Sequence, residues 1–196
     1  TRSLLLAPTW AVQAVTEADA RHGGPRLADN VGPAGRDWGG LVHALLQYAA
    51  LHPNCTREDL EHRAMWHARG NEALGQLHQD AVAAVQSVME APFWSHLLAA
   101  EQRLAEVPIC LPAAGTPPAI VNGIIDLALR FPDGWEIVDY KTDLVDIGQL
   151  TAIYAEQVRL YADCWEKITG EVVRFAGIYS VRMNAMSGKV LTAAAL

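Results

Sequence analysis

The sequence predicts an α+β domain of α/β/α-like design, with helices flanking a mixed central β-sheet and a helical region ahead of it. Three observations carry this expectation. Apolar residues recur at helical spacing through residues 37–101 and give way to short β-rich runs thereafter. The elements come in the order helices, three strands, one helix, two strands. A hydrophobic content of 51% over 196 residues is ample for the core of one domain.

Taken in order, residues 8–20 are expected to form a short helix, and 21–36 (RHGGPRLADNVGPAGR) reads as a loop rich in Gly, Pro and charge. Residues 1–36 are thus a lead segment. From Asp37 to about Leu51 the run LVHALLQYAAL has helical spacing and stops before Pro53. Thr56 is placed as the next N-cap, with Glu58 and Asp59 in the first turn and Gly70 closing the helix. A further helix runs from about Asn71 to Glu90, and Pro92 starts another reaching roughly Glu101. The helical part is therefore 37–101, and the sheet-bearing core 102–196. In that core EQRLAEVPICLP, AIVNGIIDLALRF and GWEIVDYKT are strands, the last two joined by the turn PDG. A helix from about Ile147 to Thr169 ends at Gly170, and RFAGIYSVRM and KVLTAA form two more strands around the turn-like NAMSG.

Composition excludes some function classes. No uninterrupted apolar run approaches the ~18 residues of a membrane span, and no secretory signal is visible. Cys55, Cys110 and Cys164 lie far apart without a CxxC pair, which indicates reduced thiols rather than a zinc knuckle or a disulfide framework. HExxH is absent, and most of the seven histidines read as surface residues. A net charge of −7 opposes gripping nucleic acid by bulk electrostatics, but not an acidic site that borrows a cation to meet phosphate. The chain opens on Thr1, as expected of a piece of something longer, and without GxxxxGK[ST] it holds no ATPase.

The chemistry concentrates in WEIVDYKTD. Side chains alternate along a strand, so Asp139 and Lys141 share one face while Val138 and Tyr140 share the other. Asp126 sits in the apolar run GIIDLALR, where an ionised carboxylate is costly unless paired. Counted from the PDG turn, it is about as far out as Asp139 and Lys141, so these groups can meet across the hairpin. A buried salt bridge and half of a metal site are both open readings. Glu106, ahead of VPICL, is a third carboxylate or a solvated edge residue. His43 is a ligand or a core histidine, beside Gly39 and Gly40 that permit close packing. Gln157 and Tyr161, one helical turn apart, either line the site or divide into an exposed and a core residue.

Together GGLVHALL, AEVPI, GIIDLAL, WEIVDYKTD and QVRLYA resemble, in order and spacing, the RecB/AddA-type nuclease domain of the PD-(D/E)xK superfamily over about residues 36–182. The resemblance implies a restriction-endonuclease-like core with Mg²⁺- or Mn²⁺-dependent deoxyribonuclease activity. It implies the exonuclease domain of a helicase-nuclease in DNA repair and recombination in the bacterial cytoplasm. Its partners would be DNA, single-stranded ends favoured, and a UvrD-like helicase domain in the same chain or complex, with no membrane. Asp126 and Asp139 would match metal ligands, Glu106 and His43 additional ligands, Lys141 the lysine of the motif, and Gln157 with Tyr161 the helix motif lining the site. Three scattered cysteines cannot hold the iron–sulfur cluster found in some relatives. The alternative is a catalytically inactive nuclease-like module that binds DNA or scaffolds a helicase complex.

Overall fold

The computed structural model describes residues 11–14, 35–113 and 119–191. Four helices come first among the helical elements: α1 (Arg36–Leu51), α2 (Arg57–His67), α3 (Glu72–Glu90) and α4 (Pro92–Leu98). Local sequence explains their limits. Thr56 caps α2 through its side chain, and Asp59 returns the bond to the Thr56 N–H, closing a capping box. Asn71 caps α3, and Pro92 stands in the first turn of α4. The expected helix to Glu101 ends earlier, at Leu98, because the Glu101 N–H already pairs with the Arg130 carbonyl of the sheet. The helix expected to run up to Gly70 likewise ends at His67, with Gly70 in the following turn at φ +81.

The strands are β1 (Ala11–Ala14), β2 (Gln102–Ala113), β3 (Ala119–Phe131), β4 (Gly134–Lys141), β5 (Val173–Ser180) and β6 (Ala185–Val190), with α5 (Ile147–Thr169) between β4 and β5. They form one mixed sheet. β4–β5 and β1–β3 are parallel; β2–β3, β3–β4 and β5–β6 are antiparallel. β2 lies along the length of β3, so β1 and β4 share the opposite edge of β3 at its two ends. Helices α1 to α4 pack on one face over Leu127, Leu129, Val138 and Tyr140. α5 packs on the other over Ala128, Trp135, Ile137 and Ile178. The α/β/α arrangement follows from strands apolar on both faces: β4 is buried from Trp135 to Tyr140. Each fully buried Leu or Ile in these layers contributes about 1.5–3 kcal/mol.

Two further sequence expectations are corrected. Residues 11–14 form a strand on β3 instead of part of a helix over 8–20, because a parallel backbone partner at Ala119–Asn122 overrides local helical spacing. The rest of that stretch and the loop over 21–34 lie outside the described residues. NAMSG is not the turn between the last strands. The turn is Val181–Asn184, with Asn184 at φ 47, and AMSGKV is β6 itself, while the end of the expected KVLTAA strand lies outside the described residues. Gly188 is there for close approach: a Cβ would lie 2.5 Å from the Ala176 carbonyl and from Gly177 Cα.

Candidate active site

The site begins where the sheet stops pairing. Between β2 and β3 the register sets Ala105 against Leu127 and Val107 against Ile125, and the intervening Glu106 and Asp126 are not paired. Glu106 has φ 54, a left-handed conformation that costs a non-glycine residue of the order of 1–2 kcal/mol. On the other side, the β3–β4 ladder runs from Phe131–Gly134 to Leu127–Val138 and ends. One further step would set Asp126 opposite Asp139. Instead the Asp126 carboxylate accepts the Tyr140 N–H through Oδ2 at 2.7 Å, standing in for the lost strand partner. Three carboxylates, from Glu106, Asp126 and Asp139, thus lie in one row across three strands.

Helix α1 brings a cationic group to this row. His43 Nδ1 is 3.5 Å from Asp126 Oδ1 and 3.8 Å from Glu106 Oε1. Gly39 lets the helix come this close, since a Cβ there would be 3.0 Å from Thr142 Oγ1, just past β4; Gly40 faces open space and plays no such part. Burial works against the imidazolium, but hydrogen bonding to Asp126 and Glu106 outweighs it and pushes His43 up to about 10. One ligand atom from each of His43, Glu106 and Asp126 lies within 4.8 Å of the others. Two hard carboxylate oxygens and one imidazole nitrogen are a donor set suited to Mg²⁺ or Mn²⁺, so these residues fit a divalent cation.

From the other face, α5 meets the end of β4. Lys141 Nζ is 2.6 Å from Asp139 Oδ2, and the two side chains are only 14% and 4% exposed. The ammonium also donates to Gln157 Oε1 at 3.3 Å, and Gln157 Nε2 donates to the Tyr161 hydroxyl at 3.2 Å. Gln157 is 4% exposed, so the reading that leaves it on the surface fails. Burial pushes the Asp139 carboxyl up to about 6, with Lys141 opposing and Asp126 adding to the rise. Lys141 is raised because Asp139 outweighs the burial that disfavours its charge. Burial, reinforced by Asp139, takes Tyr161 up to about 12.

All seven residues singled out in the sequence converge here: His43, Glu106 and Asp126 around one point, Asp139 beside them on the adjoining strand, and Lys141, Gln157 and Tyr161 in a chain leading away. The sequence reading missed Tyr154, whose ring centroid lies 3.9 Å from Lys141 Nζ. Its signal was present. Tyr154 precedes Gln157 by three residues and Tyr161 by seven, and so shares their helical face. The cysteines lie on separate elements, Cys55 ahead of α2, Cys110 on β2 and Cys164 on α5. Among the described residues no helix is long and apolar enough to cross a membrane.

This arrangement has relatives. The family described as the PD-(D/E)XK nuclease superfamily matches residues 17–190. Three curated relatives are ATP-dependent helicase/nuclease subunits of the A type. That of Acetivibrio thermocellus is 29% identical over 161 residues, covering 71% of this chain and 13% of that protein. The Desulforamulus reducens protein is 32% identical over 135 residues, 68% of this chain and 9% of the relative. The Heliobacterium modesticaldum protein is 35% identical over 98 residues, 41% of this chain and 7% of the relative. The chain thus spans 13% or less of the length of these relatives.

Proposed function

The chain belongs to the PD-(D/E)XK nuclease superfamily, and we propose that it is a divalent-metal-dependent deoxyribonuclease domain, the exonuclease part of a bacterial helicase-nuclease of DNA repair and recombination. One observation carries this reading: Glu106, Asp126 and Asp139 stand in a row where the β2–β3 and β3–β4 ladders break, with Lys141 2.6 Å from the last of them. A buried salt bridge alone needs one acid and leaves no reason to hold two more carboxylates, at a cost in backbone pairing.

Asp126, Asp139, Glu106 and His43 are assigned as metal ligands. The cation would neutralise the scissile phosphate and acidify an attacking water. The protein's own groups do the rest. Lys141, a compact point charge, orients the water and offsets charge developing on the phosphate. Gln157 and Tyr154 fix the ammonium from the α5 side, and Tyr161 fixes Gln157. The Tyr140 N–H anchors the Asp126 carboxylate through Oδ2, leaving Oδ1, on the His43 side, as the oxygen that would hold an ion. DNA, entering by single-stranded ends, is the proposed substrate, and a UvrD-like helicase domain the proposed neighbour in the same chain or complex, in the bacterial cytoplasm. Residues 37–101 are read as the helical part of this domain and 102–196 as its core.

The test is cleavage of end-labelled DNA with Mg²⁺ or Mn²⁺ against EDTA. Asp126→Ala and Asp139→Ala are expected to abolish it. Cleavage that persists in EDTA, or in either variant, sinks the assignment; a folded wild-type chain that binds metal and cleaves nothing is the inactive module instead.

A further inference from the structure

An acidic nuclease domain must still receive a polyanion, and its charge is not evenly spread. Between Trp38 and Asn71 the acids are Glu58, Asp59 and Glu61, and the matching bases Arg57, Arg63 and Arg69, so this stretch is neutral and the rest of the chain carries the −7. All three acids cluster at the start of α2 and are engaged there: Asp59 with Thr56, Glu61 with Arg57 at 2.7 Å, and Glu58 4.0 Å from His62. From His62 to Asn71, and along all of α1 after Asp37, there is no carboxylate at all.

Aromatic rings and arginines order themselves from the exposed flank of α1 onto α2, with Asp37 meeting Asn71 at the far end. His43 and Tyr48 both stand partly exposed on α1, about 7.5 Å apart along its axis and about 140° apart around it, so the row begins on the flank next to the site's helix face. Tyr48 stacks on His52 with centroids 4.4 Å apart, and the Arg63 guanidinium lies 4.5 Å over the Tyr48 ring, carrying the row from α1 onto α2. Trp66, one turn beyond Arg63 on the same flank, is 64% exposed and meets His67 edge-on at 5.3 Å. Arg69 follows. The indole contrasts with Trp38, Trp94, Trp135 and Trp165, each at 5% exposure or less.

We propose that this row, His52 and Arg63 flanking Tyr48, then Trp66 and Arg69, is a track on which the bases of single-stranded DNA stack as the strand approaches the site. This rests on the nuclease reading above and adds to it where the strand lies. Flat rings beside guanidinium planes are the arrangement that holds unpaired bases without reading their sequence. A duplex keeps its bases stacked inside and gains little from such platforms. The apolar exposure of Trp66 alone would equally suit a protein neighbour; the guanidinium groups of Arg63 and Arg69 set beside the rings favour the strand.

Two measurements on the full chain decide this. In Ca²⁺, which holds the metal site without turnover, a fluorescein-labelled oligothymidylate of about a dozen nucleotides is titrated by anisotropy. Trp66→Ala is expected to weaken binding about tenfold and Arg63→Ala at least about threefold, while Trp66→Phe, which keeps a ring, stays within about threefold of the unchanged chain. Hydrolysis of bis(p-nitrophenyl) phosphate in Mn²⁺, which reaches only the site, is expected to be unaffected by all three, and thermal unfolding confirms each variant folded. Equal binding by Trp66→Ala, Arg63→Ala and the unchanged chain overturns the track, as does no binding by the unchanged chain. If the unchanged chain binds the oligonucleotide through Trp66 but hydrolyses no phosphodiester, the track stands and the nuclease reading is what has failed.

Discussion

Replacing Lys141 with Met tests the centre of the site by leaving Asp139 buried without its cation. The ammonium lies 2.6 Å from Asp139 Oδ2 with both side chains mostly enclosed, and removing one partner of such a pair costs about 3–5 kcal/mol. The cost depends on pH, and its sign follows from Asp139. Its carboxyl is already pushed up to about 6 by burial, even with Lys141 opposing. The native state therefore holds a proton that the unfolded state releases near pH 4, and stability falls as pH rises through this window, by about 3 kcal/mol in all. Without Lys141 the native value rises further, so the window extends upward. Lys141→Met is thus expected to be destabilised by about 3–5 kcal/mol at pH 8 and by about 1 kcal/mol at pH 5, where Asp139 is neutral in the variant. Urea unfolding followed by circular dichroism at both pH values in EDTA measures this. Mn²⁺ should recover more stability in the variant than in the unchanged chain, because it returns positive charge beside Asp139. Turnover should still fall by about 10²-fold or more with metal affinity retained. A loss below about 1 kcal/mol that is the same at pH 5 and pH 8 would refute the buried pair.

Other outcomes follow from the same geometry. His43 is held protonated by Asp126 and Glu106 with a value of about 10, so metal binding at pH 8 should release about one proton as the ion displaces it, read from calorimetry in buffers of different ionisation enthalpy; His43→Ala should abolish that release. The same raised value stabilises the metal-free fold below pH 6.5, and this contribution should fade as pH rises toward 10. Tyr154→Leu should lower kcat with KM unchanged, because the Lys141 ammonium loses the ring 3.9 Å away, and Tyr154→Phe should restore it. Glu106→Gly should leave stability unchanged or raise it by about 1 kcal/mol by relieving a positive φ, while weakening Mn²⁺ binding in a titration.

How much of this was legible depended on whether the signal was local. The Thr56 cap, the PDG hairpin and α5 ending at Gly170 are written in neighbouring residues, and the structure agrees with each. The meeting of Asp126 and Asp139 was countable from the hairpin turn because antiparallel register converts sequence distance into position. Where long-range pairing decides, reading fails. Residues 11–14 become a strand only because β3 offers an edge. Gly188 resembles a turn residue in NAMSG, yet it answers to Gly177 across the ladder. For Gln157, spacing left two readings open, and the bonds to Lys141 and Tyr161 decide for the one that lines the site.

The row of acids also explains why the sheet is imperfect. A continuous ladder through Glu106, Asp126 and Asp139 would hold three carboxylates opposite one another across adjacent strands, where like charges repel. The protein gives up pairing there instead. Glu106 turns to a left-handed conformation, the β3–β4 ladder ends at Val138, and the Tyr140 N–H is satisfied by the Asp126 side chain rather than by a strand. Those departures remove backbone bonds and add strain, which a purely structural ion pair between Asp139 and Lys141 does not require. Strain that neighbouring structure holds in place is the kind that accompanies a site built to receive something. Two internal cations, His43 and Lys141, stand against three acids in the metal-free protein. The surplus negative charge is what a divalent ion would complete.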